Sequence, residues 1–187
     1  MEEIKIGSQI WLKKNLDVET FRNGDAILQA KTNAQWARAG EQGKPAWCYC
    51  RNAGLYDEKY GKLYNWFAVN DPRGLAPKGW HVPSEKEWDE LVDYLGGEEE
   101  AGERMKTTYG WEKGGNGTNS SGFSGLPGGY RNFNGTFYLI GGYGYWWSTS
   151  EDGKLDAWYR DLYYYDGVVY RGSDFKEDGF SVRCLRD

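Results

Sequence analysis

Several classes of function are excluded by what this chain of 187 residues lacks. Cysteine occurs only at Cys48, Cys50 and Cys184, an odd set in which the first two are too close in sequence for an easy bridge in an extended chain. Reduced thiols are therefore expected, not a disulfide scaffold. Zinc-type spacing is missing too, because Cys48-x-Cys50 has no second ligand pair. The single histidine, His81, lies within Trp80-His81-Val82-Pro83 just before a helix signal. Any Ser-His-Asp or Cys-His nucleophile system would have to use it, and no nucleophile-elbow spacing accompanies it. A lone histidine there is ordinarily a hydrogen-bonded structural residue. A formal net charge of −5 gives no footprint for nucleic acid or an anionic membrane. No apolar run approaches membrane-spanning length. The opening Met-Glu-Glu-Ile-Lys-Ile-Gly has no apolar h-region, so no secretory signal is expected in this chain. The expectations are no catalytic residue, no metal, no cofactor, no nucleic-acid partner and no membrane insertion.

Aromatic side chains are abundant, with 10 Trp, 15 Tyr and 7 Phe, so large flat rings must fill much of the interior. Glycine, at 27 residues, points to many tight turns and not to a helical bundle. Residues 4–12 read as a hairpin around Gly7-Ser8. Thr32 and Gln35 have capping-box spacing before a helix of about two turns. Ser84 and Glu87 repeat that signature, and Trp88, Leu91, Val92 and Leu95 form one apolar stripe ended by Gly96-Gly97. A further helix is predicted from Glu98 to Lys106, weakened by Gly102. Residues 110–129 read as loop, and short strands follow Tyr130. Lys113-Gly114-Gly115-Asn116-Gly117 neither follows a strand nor opens a helix, which argues against phosphate binding. The pattern is α+β, with one domain over 1–187.

The C-terminal segment has the composition of a recognition surface, since Tyr offers large amphipathic contact area at low rotamer cost. Asp166-Gly167 is a strong hairpin signal, predicting a two-residue type I′ turn that pairs Tyr165 with Val168 and Tyr163 with Tyr170. Alternation then puts Trp158, Arg160, Leu162, Tyr164, Val169 and Arg171 on one face, as a core wall with an internal charge network. The other face carries Tyr159, Asp161, Tyr163, Tyr165, Val168, Tyr170, Gly172 and Asp174, a tyrosine slab with acids at its rim. Asp166, Ser173 and Phe175 complete the predicted binding set. Of Trp146 and Trp147, one is expected in the core and the other, Trp147, at the edge of the site. Aromatic cross-strand pairs also simply stabilise sheets, so composition alone does not separate the two roles.

Six blocks of the sequence carry a family resemblance. They are Tyr60-Gly-Lys-Leu-Tyr-Asn-Trp-Phe-Ala-Val69, Ala76-Pro-Lys-Gly-Trp-His-Val-Pro83, Glu87-Trp88, Gly122-Phe-Ser-Gly-Leu-Pro-Gly-Gly-Tyr-Arg131, Tyr145-Trp-Trp-Ser148 and Gly179-Phe-Ser-Val-Arg-Cys184. In that order they resemble the Fibrobacter succinogenes major paralogous domain along nearly the whole chain. That family is similar to the formylglycine-generating-enzyme branch of the C-type lectin fold. The resemblance implies a C-type lectin-like α+β domain with two or three short helices, paired terminal strands and a C-terminal antiparallel hairpin. Enzymes of that branch use a late pair of cysteines, and here only Cys184 stands there. Some relatives pair a cysteine before Pro-Lys-Gly-Trp with the C-terminal one; here that position is Ala76, so Cys184 is expected as a buried free thiol. The calcium-site tripeptides of sugar-binding C-type lectins, Glu-Pro-Asn, Gln-Pro-Asp and Trp-Asn-Asp, are absent.

Members of the family also serve as variable proteins of diversity-generating retroelements, in which adenine-directed mutagenesis rewrites Asn-type codons near the C-terminus. Ala157, Trp158, Arg160, Leu162, Tyr164, Val169, Arg171 and Lys176 match the invariant frame the resemblance implies. Randomising the first two bases of an Asn codon cannot give Lys, Glu, Gln, Met or Trp. The occupants of the intervening positions, Asp161 through Phe175, obey that restriction. The resulting expectation is a non-enzymatic receptor-recognition protein with a hypervariable surface for a protein or glycan ligand, acting at a virion or cell surface or having lost its leader. The alternatives are a fixed-specificity adhesin or carbohydrate-binding module and, less favoured, a formylglycine-generating-type enzyme.

Overall fold

In the computed structural model, residues 2–52 and 57–187 are described. The first half holds β1 (Glu3–Ile6), β2 (Gln9–Leu12), β3 (Leu28–Gln29), α1 (Asn33–Glu41), β4 (Ala46–Tyr49), α2 (Asp57–Tyr60), β5 (Lys62–Asn65), α3 (Trp66–Val69) and β6 (Trp80–His81). Then come α4 (Glu85–Tyr94), α5 (Glu98–Met105), β7 (Tyr130–Arg131), β8 (Phe137–Tyr138), β9 (Tyr143–Asp152), β10 (Asp156–Tyr163) and β11 (Val169–Phe175). β12 (Gly179–Phe180) and β13 (Leu185–Arg186) end the chain. The architecture is mixed α+β. Three of the helices have two turns or more; α2 and α3 are additional single turns, α3 being capped by the Asn65 side chain on the Ala68 amide.

The strands form three sheets, ordered β1-β2-β13-β6, β11-β10-β9 and β3-β4-β5-β12-β7-β8. Among the described residues, every ladder between these strands is antiparallel except that of β3 with β4, and Trp146 of β9 forms an isolated parallel bridge to Ser181. The N-terminal hairpin turns at Gly7, whose φ of 61° is the left-handed conformation that glycine tolerates. The chain ends meet, because Leu185 of β13 pairs with Trp11 of β2 on one side and His81 of β6 on the other.

Both capping signatures form helices where the spacing placed them. Thr32 and Gln35 complete a reciprocal box at α1. At α4 the Glu87 carboxylate accepts from the Ser84 amide at 2.8 Å and its hydroxyl at 2.7 Å, while the Glu85 amide donates to Ser150 Oγ. The stripe on α4 is buried against Trp11, whose ring lies 4.9 Å from that of Trp88, and against Phe123.

The three-stranded sheet separates two cores. Trp146 enters the cluster formed by α4, α5, Trp11 and Phe123. Trp147 enters the cluster of Trp47, Tyr64, Trp66 and Phe180, stacking on Phe180 at 4.1 Å. Both rings are inaccessible, at 1% and 0% exposure. This corrects the expectation that Trp147 sits at the edge of the site: β9 is covered on both faces, so alternation sends each ring into a different core.

The C-terminal hairpin also departs from its predicted turn. β10 and β11 pair Leu162 with Val169, Asp161 with Tyr170, Arg160 with Arg171 and Tyr159 with Gly172. Neither Asp166 nor Gly167 has the positive φ that a type I′ turn demands. A longer loop takes the turn's place because tertiary contacts hold it. Lys106 Nζ donates to the Tyr163 and Asp166 carbonyls at 3.1 and 2.6 Å, and the Asp166 carboxylate accepts from the Val168 amide and the Tyr170 hydroxyl. The register moves by two residues, an even number, so the division of the strands into two faces survives.

The loop rests on two glycines. A Cβ at Gly102 of α5 would lie 2.5 Å from the Gly167 carbonyl oxygen, and one at Gly115 would lie 1.7 Å from that of Tyr164. Gly102 thus weakens α5 locally but lets the loop dock. Gly102→Ala is expected to lower the melting temperature even though alanine raises helix propensity by about 1 kcal/mol. Thermal unfolding followed by circular dichroism checks this, and a raised melting temperature would mean that the loop does not rest on α5.

Candidate functional site

The inward face of β10 and β11 is anchored by charge. Arg160, 1% exposed, bonds Glu85 at 3.1 Å and also Asp89, while Arg171 Nε donates to Glu85 at 2.7 Å. Glu85 is the first residue of α4, where a carboxylate also meets the positive end of the helix. The Arg171 guanidinium covers the Trp158 ring at 3.9 Å. Leu162 and Val169 are buried in the α4–α5 core, and Tyr164 packs against it, its hydroxyl held by Lys113 at 3.1 Å. Lys176 binds Glu151 and lies over Trp66. This is the core wall with a charge network that alternation predicted.

The opposite face is a continuous field of tyrosine rings. Tyr163 stacks on Tyr170 at 4.3 Å and meets Tyr143 at 4.4 Å and Tyr165 at 5.2 Å. Tyr145 contacts Tyr159 at 5.6 Å and Tyr130 at 5.3 Å, and Tyr130 stacks on Tyr138. Phe133 meets Phe175 edge-on at 5.7 Å. Tyr165, Phe175, Phe133 and Tyr138 all lie among the exposed large apolar side chains.

The predicted site residues are distributed unevenly across this face. Tyr159, Asp161, Tyr163, Tyr170 and Asp174 share it, as register requires. Tyr165, Asp166 and Val168 lie in the docked loop at its end. Ser173 of the predicted binding set pairs with Trp158 and so lies on the anchored side of the strands, where it is exposed. Phe175 has the same parity but reaches the rim through Phe133. Trp147 is part of the floor beneath Tyr159 and Phe180, not a contact surface. Tyr130, Phe133, Tyr138, Tyr143 and Tyr145 extend the field and were absent from the predicted set. Tyr143 and Tyr145 could have been found from the alternation Tyr143-Gly144-Tyr145, given that β9 pairs with β10. The contribution of residues 130–138 comes from tertiary packing alone.

Carboxylates lie under the rings instead of only at the rim. Asp161 is 1% exposed, and burial pushes its pKa up to about 6, although the Tyr163 hydroxyl lies close enough to favour the charged form. Asp178, also 1% exposed, is pushed by burial and the neighbouring Asp174 up to about 8. Neither oxygen of Asp178, nor Oδ2 of Asp161, has a hydrogen-bond partner among the described residues. The Phe133 amide is near enough only to offset part of the burial penalty on Asp178. Burial likewise raises Tyr145, Tyr159 and Tyr163 far above the ordinary phenol range, so these rings stay neutral.

Elsewhere, His81 is gripped between Asp187 at 2.9 Å and Glu87 at 2.8 Å. Burial opposes its charge, but those two bonds outweigh it and its pKa lies above the usual value. Cys48 and Cys184 are buried free thiols, Cys50 is buried with its Sγ donating to the Gly128 carbonyl at 3.4 Å, and burial pushes Cys184 up to about 12. Among the described residues no three His, Cys, Asp or Glu side chains converge to hold a metal ion, and no helix is long and apolar enough to cross a membrane. Depressions of about 460 and 600 Å³ are lined respectively by α4 with the C-terminus, and by Lys13, Lys14, Asn15, Lys59 and Arg183. Neither includes a residue of the tyrosine face, which is an open surface.

The family model for the Fibrobacter succinogenes major domain matches residues 4–186, and the chain belongs to that family. No match was found among curated proteins or among solved structures.

The buried acids make stability depend on pH. A carboxyl whose folded pKa exceeds its unfolded value holds its proton more tightly when folded, so stability falls as pH rises between the two values and levels off above. For Asp178 that window runs from 3.8 to about 8. Asp178→Asn is therefore expected to raise the melting temperature by more at pH 9 than at pH 5. Equal shifts at both pH values would contradict the burial of an uncompensated carboxyl there.

Proposed function

Starting from membership of that family, we propose that this protein is a non-enzymatic ligand-binding protein whose outward tyrosine face recognises a receptor on a protein or glycan. In this reading the scaffold is of the C-type lectin type, and the outward positions are those a diversity-generating retroelement rewrites. The observation that carries the reading is the segregation along β10 and β11. Frame residues Arg160, Leu162, Val169 and Arg171 are tied to α4 and α5, while the intervening Tyr163 and Tyr170 stack on each other on the outward face, Tyr170 also donating to Asp166. Such an arrangement lets the display change without disturbing its support. Openness favours a macromolecular ligand, since small-molecule sites are concave. A formylglycine-type reaction is disfavoured, because the one late thiol, Cys184, lies in the core with its proton held tightly.

Flanking DNA discriminates a diversified from a fixed site: a reverse-transcriptase gene with a near-copy of the C-terminal coding region marks the former. A protein and glycan array supplies ligands for the direct test. Tyr163→Ala and Tyr170→Ala are each expected to weaken a captured ligand by about 2 kcal/mol or more, with little change in melting temperature. Trp147→Ala is expected to destabilise the fold by about 3–5 kcal/mol. If both tyrosine substitutions unfold the protein, the face is core and the proposal fails.

A further inference from the structure

The geometry points to a cationic side chain, the guanidinium of arginine or the ammonium of lysine presented by a protein partner, as the group this tyrosine face is built to receive. The inference rests on the binding reading above and specifies its ligand chemistry. It begins with Asp161. Strand alternation aims this residue onto the tyrosine face, between Tyr159 and Tyr163 along β10 and beside Tyr145 and Tyr170 on the neighbouring strands. It is 1% exposed, yet its Oδ2 is unpartnered. Asp178 reaches the same region from the turn before β12, where its charge is felt by Tyr130 and Tyr159, and both of its oxygens are unpartnered. The half-buried Asp174 is close enough to repel it.

Three carboxylates thus share one aromatic layer, and no basic side chain pairs with any of them among the described residues. Arg160 acts on Asp161 only from the other side of the sheet, where its Nη2 bonds Glu85 and Asp89 while Nε and Nη1 have no hydrogen-bond partner among the described residues. Lys176, two residues from both Asp174 and Asp178, turns away to Glu151 and Trp66. Burying carboxylates without a counter-charge destabilises a fold strongly. At neutral pH Asp178 keeps its proton and Asp161 has no basic partner on its own face, and a cationic ligand supplies the counter-charge that lets both ionise. Tyrosine ring faces attract cations in their own right, and a partly desolvated site strengthens that attraction. A metal ion is a poor fit, because the acids do not converge as a ligand set. An arginine or lysine side chain is long enough to lie across the rings with its charge toward the acids, and an open face suits one carried on a protein surface.

The test uses the full chain and a biotinylated Gly-Ser peptide carrying spaced arginines, compared by biolayer interferometry with the same peptide carrying citrulline, the neutral isostere. The arginine peptide is expected to bind about tenfold more tightly or better. Asp161→Asn with Asp178→Asn should remove that preference without lowering the melting temperature. Glu2→Gln with Asp93→Asn, exposed acids beside β1 and on α4, removes the same net charge and should leave the preference intact. Equal binding of the two peptides, binding of neither, or equal loss in the control variant overturns the inference. If the citrulline peptide binds as well and Tyr163→Ala abolishes it, the face binds ligands but does not select charge. Failure of Tyr163→Ala and Tyr170→Ala to affect any captured ligand is the separate result that overturns the binding reading itself.

Discussion

Burial of β9 on both faces is the constraint from which the rest of the molecule follows. Trp146 and Trp147 are adjacent in sequence, so a strand must send them to opposite sides, and each finds a separate aromatic core. The Trp147 indole donates to the Tyr64 carbonyl at 2.9 Å and that of Trp146 to Asn15 Oδ1 at 2.9 Å, so both polar atoms are satisfied in the interior. A strand fixed in this way cannot slip in register, because a one-residue shift would exchange two full cores. β10 inherits its position from β9, and β11 from β10. The outer strands can then carry an irregular loop and a varied surface, since their placement does not depend on what that surface contains.

The second layer of support is electrostatic. Arg160 and Arg171 converge on Glu85 at the start of α4, which ties the outer strands to a helix whose apolar stripe is itself buried. A buried ion cluster contributes little net stability compared with an apolar replacement, but breaking it leaves an unpaired charge and is strongly unfavourable. Its effect is to specify one docking of sheet on helix. The opposite face shows the reverse situation, with Asp161 and Asp178 buried and unpaired. One face of the same strands pairs its acids with arginines, whereas the acids of the other face have no basic partner among the described residues.

Much of this was legible in the sequence. Local signals with a strong physical basis, the two capping boxes, the α4 stripe and the Gly7 hairpin, produced the expected elements. Face membership along β10 and β11 was also legible, because it depends only on the twofold period. The turn was not. Asp166-Gly167 favours a tight type I′ reversal, but Lys106 and the flat surfaces at Gly102 and Gly115 hold a longer loop, and none of these is near it in sequence. Asp178 was invisible for a related reason: it follows β11, and its neighbours Tyr130 and Phe133 come from β7 and the turn after it, far away in sequence. Trp147 failed because alternation was taken to leave one of the two rings at the edge of the site, whereas a core covers each face of β9.

The central claim is that support and display are separated residue by residue on one pair of strands. It is tested most directly by randomising two sets of positions in surface-displayed libraries and measuring the folded fraction with a conformation-sensitive protease. Libraries varied at Tyr159, Tyr163, Tyr165, Tyr170 and Asp174 are predicted to retain mostly protease-resistant members. Libraries varied at Trp158, Arg160, Leu162, Val169 and Arg171 are predicted to lose nearly all of them. Equal tolerance in the two sets, or loss of folding in the first, would contradict the account.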